Sequence, residues 1–145
     1  MRIKIKIFIL LISLVLISCN TEASAKRKIT KTVTNFWNAV EKNDGNEYKS
    51  LIYESEKYPG VISMERKFLN KNYNKINSYI NLKENIKVKD TVFNGAKRQY
   101  VQYWIKNNKP NYTQKPLIIT FIFYKQVGYD KVYNPSVLDD FLKWE

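Results

Sequence analysis

The side chains that could carry out chemistry are few in this sequence. Histidine is absent from the 145 residues, and Cys19 is the only cysteine. A single thiol excludes an internal disulfide, and the lack of histidine removes both the commonest metal ligand and the commonest general base near neutral pH. Carboxylates alone make poor zinc ligands. We therefore expect no metal site and no cofactor.

Asp90 is the one carboxylate whose position suggests reactivity. It shares a strand-like alternation with Ile86, Val88 and Val92, so its side chain could point into an apolar interior with a raised pKa. The neighbouring Lys89 favours the alternative of a solvated aspartate near a strand end. Paired carboxylates, a nucleophile with its base and a glycine-rich phosphate loop are all missing. The sequence therefore predicts no catalytic residue.

Aromatic residues are the second candidate feature. The chain contains 7 Phe, 3 Trp and 11 Tyr, which either fill a core or line an apolar cavity whose phenol groups orient a ligand. Both alternatives remain open from the sequence. The candidate residues for such a ligand pocket are Trp37, Tyr100, Tyr103, Trp104, Phe121 and Phe123.

The N-terminal segment has the pattern of a targeting signal. Three basic residues within the first six precede an almost purely apolar run at 7–17. A secretory signal peptide has this order of a basic start and an apolar run of about 7–15 residues, whereas a membrane-spanning helix needs about 20. The alternative is an uncleaved signal anchor.

The four residues Leu16-Ile17-Ser18-Cys19 end this run and resemble the lipobox of bacterial lipoproteins. The resemblance implies cleavage between Ser18 and Cys19, transfer of a diacylglyceryl group to the Cys19 thiol, and acylation of the new N-terminus. Ile17 departs from the family, in which Ala, Ser or Thr is more usual. The resemblance thus implies a signal peptide over residues 1–18 and a lipid anchor in the bacterial cell envelope, either periplasmic or surface-exposed.

Residues 19–28 carry this cysteine and then a polar stretch that suggests a tether. Fully extended, its nine polar residues would reach roughly 30 Å. The basic cluster Lys26-Arg27-Lys28 either contacts anionic headgroups, at about 1 kcal/mol per basic residue near such a surface, or is simply solvated. The remaining residues, 29–145, have the size of one domain with a single core.

The sequence is basic, with 25 Lys and Arg against 13 Asp and Glu and a formal charge of +12. Removal of Arg2, Lys4 and Lys6 with the signal peptide lowers this charge to +9. The basic residues are scattered, and no aromatic-interleaved nucleic-acid motif accompanies them. Because Lys, Asn, Ile and Tyr share AT-rich codons, genome composition also produces such a charge. We therefore expect no nucleic-acid partner.

Hydrophobic periodicity predicts three helices in the first half of the domain. The first covers residues from about 25 to 43, and Asp44 with Glu47 resembles a capping box that opens a short second helix. A Pro-Gly pair at 59–60 interrupts the chain. A third helix is expected from about 62 to 80, with its apolar stripe toward the core.

The pattern then changes to an alternation with a period of two, which is typical of strands with one wet face. The third predicted strand is apolar on both faces and is expected to be central, and Asn94-Gly95 is a turn dipeptide. A polar loop at 107–115 and a short closing helix at 137–144 complete the prediction. Strands are expected at 86–92, 98–105, 117–124 and 129–133.

Helices followed by a meandering antiparallel sheet define an α+β fold. The segment Phe36-Trp37-Asn38-Ala39-Val40-Glu41-Lys42-Asn43-Asp44 resembles the end of the first helix in NTF2-like (cystatin-like cone) proteins. Val127-Gly128-Tyr129-Asp130-Lys131-Val132 resembles their last strand, although Tyr replaces Trp and Asp130 is an extra residue. The resemblance covers 27–135 and implies N-terminal helices packed on a curved antiparallel sheet of about four strands, with a cone-shaped cavity.

Two classes of function are compatible with these features. The first is a non-catalytic module that binds a partner protein or a small apolar ligand at the envelope, including an immunity-like lipoprotein that blocks a partner. The second is an NTF2-like enzyme or carrier for a small apolar molecule in the cone. The absence of histidine favours the first, whereas an inward Asp90 near a tyrosine would favour the second. We expect a monomer or a homodimer.

Overall fold

The computed structural model describes residues 2–106 and 116–133, with side chains from residue 22 onwards. The expected loop at 107–115 and closing helix at 137–144 lie outside the described residues. Two short 3-10 turns, Ser55–Lys57 and Lys125–Val127, connect larger elements. These larger elements are α1 (Arg2–Glu41), α2 (Gly45–Ser50), α3 (Pro59–Tyr79), β1 (Lys89–Phe93), β2 (Ala96–Ile105) and β3 (Leu117–Phe123).

α1 continues through the segment that the sequence suggested to be a tether. Ala25 is only 6% exposed, and Glu22 pairs with Lys26 one helical turn later at 2.7 Å, so this segment has both a packed face and a helical ion pair. A helix rises about 1.5 Å per residue, so the nine residues after Cys19 advance about 14 Å rather than roughly 30 Å. The apolar stripe of α1 continues through Ile29, Val33, Phe36, Trp37 and Val40.

Asp44 is the N-cap of α2, which confirms half of the predicted capping box, because its own N–H donates to the Ala39 carbonyl at 2.9 Å instead of to the Glu47 side chain. Its Oδ1 accepts hydrogen bonds from the backbone N–H groups of Asn46 and Glu47, both at 3.0 Å. Such an N-cap satisfies donors that have no partner within the helix and stabilises it by about 1 kcal/mol. This cap defines where α2 begins, directly after the turn that follows α1.

α3 begins at Pro59, three residues earlier than expected, because proline is well tolerated in the first turn of a helix. Its buried face includes Leu69, Tyr73 and Ile76, which confirms the predicted stripe. Asn70 donates a hydrogen bond to the Val40 carbonyl oxygen at 2.8 Å, which links α3 to the end of α1.

The three strands form one antiparallel sheet in the order β1-β2-β3. Asn94 and Gly95 join the first two, with φ of 50° and 72°, as a two-residue hairpin turn requires. The expectation that 117–124 would be the central strand is wrong, because β2 is central in the described sheet. Two of the three outer residues of β3, Ile118 and Ile122, are apolar, yet they remain partly exposed.

The predicted last strand is replaced by a single bridge in the described part of the chain. After the turn, Gly128 has a φ of 82°, which redirects the backbone. The Val132 N–H then donates to the Leu51 carbonyl, and the Tyr53 N–H donates to the Val132 carbonyl, both at 2.8 Å. Because Val132 pairs with the segment after α2, and the Tyr133 N–H makes only one hydrogen bond to β3, at 2.9 Å from the Ile122 carbonyl, residues 129–133 form no fourth strand of the described ladder.

The core lies between the three helices and the inner face of the sheet. Alternate residues of β2 and β3 point inward and are almost completely buried, as a strand with one wet face requires. The coarse prediction of an α+β fold, with helices packed on an antiparallel sheet, is therefore confirmed. The inward residues are Val101, Tyr103 and Ile105 of β2 and Leu117, Ile119, Phe121 and Phe123 of β3.

Candidate functional site

An aromatic cluster fills the space between α1 and the middle of the inner face. Phe36 and Trp37 pack edge-on to each other and to Phe121, with ring centroids 4.7–5.7 Å apart. Tyr103 meets Trp37 at 5.6 Å, and Tyr48 of α2 meets Phe36 at 4.8 Å. All five side chains are at most 3% exposed. Here the aromatic residues form a packed core rather than the wall of a cavity.

The phenol groups of this cluster serve packing. The Tyr103 hydroxyl donates to the Leu82 carbonyl oxygen at 2.9 Å, and burial raises the pKa of Tyr103 to about 12. Burial also raises the pKa of Tyr48 well above its ordinary value, and the Glu65 carboxylate adds to that effect. Both tyrosines are therefore neutral under physiological conditions and are held inside the core.

The six candidate pocket residues do not line one cavity. Three of them belong to the aromatic cluster, and Phe123 is buried further along the same face. Tyr100 and Trp104 lie on the opposite side of β2, because successive residues of a strand point to opposite faces. The structure therefore separates this set into core residues and outward-facing residues.

The second group belongs to what we call the outer face. Trp104 is 57% exposed there, and its Nε1 donates to the Gln102 side-chain oxygen at 2.6 Å. Gln102 in turn donates to the Thr120 hydroxyl at 2.9 Å, so a short hydrogen-bond chain crosses from β2 to β3. The outer face comprises Tyr100, Gln102 and Trp104 with their strand neighbours Ile118, Thr120 and Ile122.

A concave region, the end cavity, lies where the hairpin end of the sheet meets the beginning of the domain part of α1. Its volume is about 540 Å³, and both charged and apolar side chains surround it. Phe123 and Val92 supply apolar surface, whereas the other positions are mostly polar. The lining residues are Glu22, Asp90, Thr91, Val92, Lys97, Arg98, Gln99, Phe123, Lys125 and Tyr129.

Asp90 faces this end cavity as an exposed carboxylate. Its Oδ1 accepts a hydrogen bond from the Gln99 amide nitrogen at 3.1 Å. The ion pair with Glu22 raises the pKa of Lys26, and the negative charge of Asp90 adds to that rise. Tyr129 lines the same cavity, where its backbone carbonyl accepts from the Thr32 hydroxyl at 2.7 Å. This is the solvated environment that the neighbouring lysine suggested.

In the portion of the chain that the structure describes, no group of three or more His, Cys, Asp or Glu residues could hold a metal ion. In the same portion, no helix combines the length and the apolar character that are needed to span a bilayer. Ser18 and Cys19 fall within the backbone of α1.

The exposed apolar tip of the hairpin between β1 and β2 is the feature that the sequence reasoning missed. Val92 and Phe93, which precede the turn, are 65% and 60% exposed. The available signal was their adjacency, because neighbouring residues of a strand point to opposite faces and only one of them can face a core. Lys97 of the same hairpin was considered only as part of a short basic cluster, and Lys125, in the turn after β3, was not considered.

Comparisons with other proteins assign nothing to these regions. The chain has no match among protein-family models, curated proteins or solved structures. Proposals of function therefore rest on three regions of the molecule: the outer face, the end cavity with its hairpin, and the segment around Cys19.

Proposed function

We propose that this protein is a bacterial lipoprotein, anchored to a membrane of the cell envelope through Cys19, whose domain binds a partner protein and performs no catalysis. The outer face is the binding surface in this proposal. The observation that carries it is the 57% exposure of Trp104, a residue type that is enriched at protein interfaces and in their energetic centres.

The surroundings of Trp104 support a protein partner. Ile118 is its direct neighbour on β3, and Tyr100 pairs with Ile122 four residues further along, so apolar pairs recur along both strands. The hydrogen-bonded Gln102 and Thr120 lie between these pairs. Exposed apolar residues with polar groups among them are typical of protein interfaces, and the filled aromatic cluster leaves less support for an apolar ligand inside the core.

The anchoring part of the proposal rests on the N-terminal sequence. A basic start, a short apolar run and the lipobox-like Leu16-Ile17-Ser18-Cys19 occur in the order that a lipoprotein precursor requires. Cys19 is the only thiol of the chain, which suits a dedicated attachment site. More than one acyl chain is needed for stable anchoring, because a single chain binds membranes only reversibly.

The finer fold belongs to the same proposal. An NTF2-like cone is supported by the position of α1 across the inner face of an antiparallel sheet, with Phe36 and Trp37 at its centre. A fourth strand would complete the curved sheet that this family implies.

The end cavity favours a second candidate function, a carrier or enzyme of the NTF2-like type for a small molecule. Its volume of about 540 Å³ suits such a ligand, and Asp90 with Tyr129 would provide polar contacts above the apolar Phe123. Asp90→Asn in the purified protein would weaken binding of such a ligand while leaving partner-protein binding unchanged. That difference distinguishes the two candidates.

The anchor is tested by Cys19→Ala. We expect the wild-type chain to incorporate labelled fatty acid in living bacteria and to lose residues 1–18, whereas the variant should accumulate as an unlabelled precursor. The reason is that the thiol is the acceptor of the lipid. Mass spectrometry of the N-terminus is the measurement, and an unlabelled wild-type chain with its signal segment intact would contradict the anchor.

The partner is tested by placing a photo-crosslinking amino acid at position 104 in the anchored protein. We expect one discrete covalent adduct, because an interface would bury Trp104. Met64 on α3 provides a matched control, since it is 54% exposed and lies outside the outer face. Equal or absent adducts at both positions would refute the outer face as a binding surface, and an adduct of twice the chain mass would identify a homodimer.

A further inference from the structure

We infer that the hairpin tip, which consists of Val92, Phe93, Asn94 and Gly95, is a second membrane contact that inserts into an anionic bilayer beside the lipid anchor. The inference rests on the proposed anchoring through Cys19 and adds to it the orientation of the domain on the membrane. Three observations support it: the position of the tip along the axis of α1, the exposure of the apolar side chains at the tip, and the charges around it.

The relative direction of α1 and β2 follows from one ring contact and from one cavity that both elements line. Trp37 packs against Tyr103 in the middle of the domain, and Glu22 lines the same cavity as Lys97 near its end. Between these two places α1 spans fifteen residues, about 22 Å at 1.5 Å per residue, and β2 spans six, about 20 Å at 3.4 Å per residue. The two elements therefore run side by side in the same direction.

The same spacing locates the anchor and the hairpin tip. Cys19 precedes Glu22 by three residues of α1, which is about 4–5 Å of helix. Val92 lies opposite Lys97 and Phe93 lies opposite Ala96, so Phe93 is one residue, about 3.4 Å, further along the hairpin than Lys97, and the turn residues Asn94 and Gly95 lie beyond it. The tip therefore reaches about the level of the anchor, so a membrane that holds Cys19 would meet the hairpin at the same end of the domain.

The exposure of the tip matches an insertion into lipid. Val92 is 65% exposed and Phe93 is 60% exposed, although they point to opposite faces of β1. Neither face of the sheet is covered at this place, so both side chains could enter hydrocarbon without unpacking the core. The two-residue turn at Asn94-Gly95 keeps the tip narrow.

The charges around the tip favour an anionic membrane surface over a neutral one. Lys97 and Lys125 line the end cavity and are without an ion pair among the residues whose side chains the structure describes. Of the acidic groups there, Glu22 is paired with Lys26, whereas Asp90 keeps its negative charge while it accepts a hydrogen bond from Gln99, so Lys97 and Lys125 outnumber it. Basic residues next to an inserted apolar tip attract anionic headgroups.

A bilayer fits this surface better than a second protein. A standard protein interface buries about 800 Å² on each partner, whereas the tip offers two apolar side chains on a narrow turn. Apolar residues that penetrate the boundary between headgroups and acyl chains, with basic residues beside them, are the pattern of interfacial membrane binding.

The experiment uses the full chain in its lipidated form, with Phe93→Cys. The lipid consumes the Cys19 thiol, so position 93 carries the single free thiol for an environment-sensitive dye. Met64→Cys is the matched control, because Met64 is 54% exposed and Arg66 of the same helix contacts Asn43 beyond the opposite end of α1. Vesicles contain phosphatidylglycerol with phosphatidylcholine, or phosphatidylcholine alone, each with a lipid-bound quencher.

In the anionic vesicles we expect quenching at position 93 to be about twofold or more stronger than at position 64, because insertion places the dye about 5–10 Å into the interface. Joint substitution of Lys97→Glu and Lys125→Glu should reduce quenching at position 93 in these vesicles. Equal quenching at 93 and 64, or equal quenching at 93 in both vesicle types, would overturn the inference.

Mass spectrometry of each preparation shows whether Cys19 carries lipid. This distinguishes a failure of the hairpin contact from a failure of the anchoring proposal. A chain with lipid on Cys19 but with equal quenching at both positions overturns the hairpin contact and leaves the anchor in place. A chain without lipid overturns the anchor and the hairpin contact together. Exposed Val92 and Phe93 make no core contacts that their substitution would remove, so loss of folding is not expected.

Discussion

The two faces of β2 carry similar residue types and behave differently. Tyr103 and Trp104 are adjacent aromatic residues, yet the first is 3% exposed and the second is 57% exposed. Tyr103 contacts Trp37 of α1 and donates to a backbone carbonyl, whereas Trp104 contacts Gln102 on the open face. An aromatic residue in this sheet is therefore structural or available for binding according to whether α1 covers it.

The largest difference in stability should appear between a variant that replaces a buried tryptophan by alanine and one that replaces an exposed tryptophan. Trp37→Ala removes a completely buried side chain and leaves a cavity among Phe36, Tyr103 and Phe121, so it should lower the free energy of unfolding by about 3–5 kcal/mol. Trp104→Ala should lower it by less than about 1 kcal/mol. Urea unfolding monitored by circular dichroism gives both values, and equal losses would abolish the distinction between the faces.

Ionisation of the buried tyrosines should make the protein less stable at alkaline pH. The pKa of Tyr103 rises from 10.0 to about 12 on folding, so its contribution is complete below pH 10 and is lost as the pH rises toward 12. We expect the free energy of unfolding to fall across this interval, by on the order of 2 kcal/mol from Tyr103.

The variant Tyr103→Phe isolates that contribution. Urea unfolding at several values between pH 9 and pH 12 should show a shallower decline in the variant than in the wild type, because phenylalanine does not ionise. A decline of the same slope in both proteins would mean that Tyr103 ionises equally in the folded and unfolded states.

The smallest contrast comes from single hydroxyl groups near neutral pH. Tyr103→Phe leaves the Leu82 carbonyl without its 2.9 Å hydrogen bond inside the core, so it should cost about 1–2 kcal/mol. Tyr100→Phe on the outer face should change the free energy of unfolding by less than about 0.5 kcal/mol, because this half-buried side chain lies outside the core. Thermal melts resolve this difference, and a larger loss for Tyr100→Phe would reverse the assignment of faces.

The successes of the sequence reasoning depend on short-range physics. The apolar stripe of α3, the Asp44 cap and the alternation along β2 were predicted, because helix and strand periods and capping groups act within a few residues. The Asn94-Gly95 turn was predicted for the same reason, since positive φ values are accessible to those residue types.

The failures involve partners that are distant in the chain. The stretch 129–133 has strand-like residues, but Val132 pairs with the segment after α2 about eighty positions earlier, so no fourth strand forms in the described sheet. β3 has the apolar composition of a central strand, but β2 occupies the centre. The polar tether is helical because Ala25 packs on the domain.

The candidate site residues show the same difference between features set by local sequence and features set by contacts distant in the chain. By itself the sequence determined the lipobox-like segment at Cys19, the absence of histidine chemistry and the positions of the aromatic residues, because these depend only on residue types and local order. Only the tertiary structure decided that Trp37, Tyr103 and Phe121 are core while Trp104 is exposed, and that the hairpin tip lies level with Cys19. The reason is that the burial of each side chain depends on which face of the sheet α1 covers. The position of the hairpin tip relative to Cys19 depends on how α1 is aligned with β2. Both are set by contacts between residues far apart in the chain.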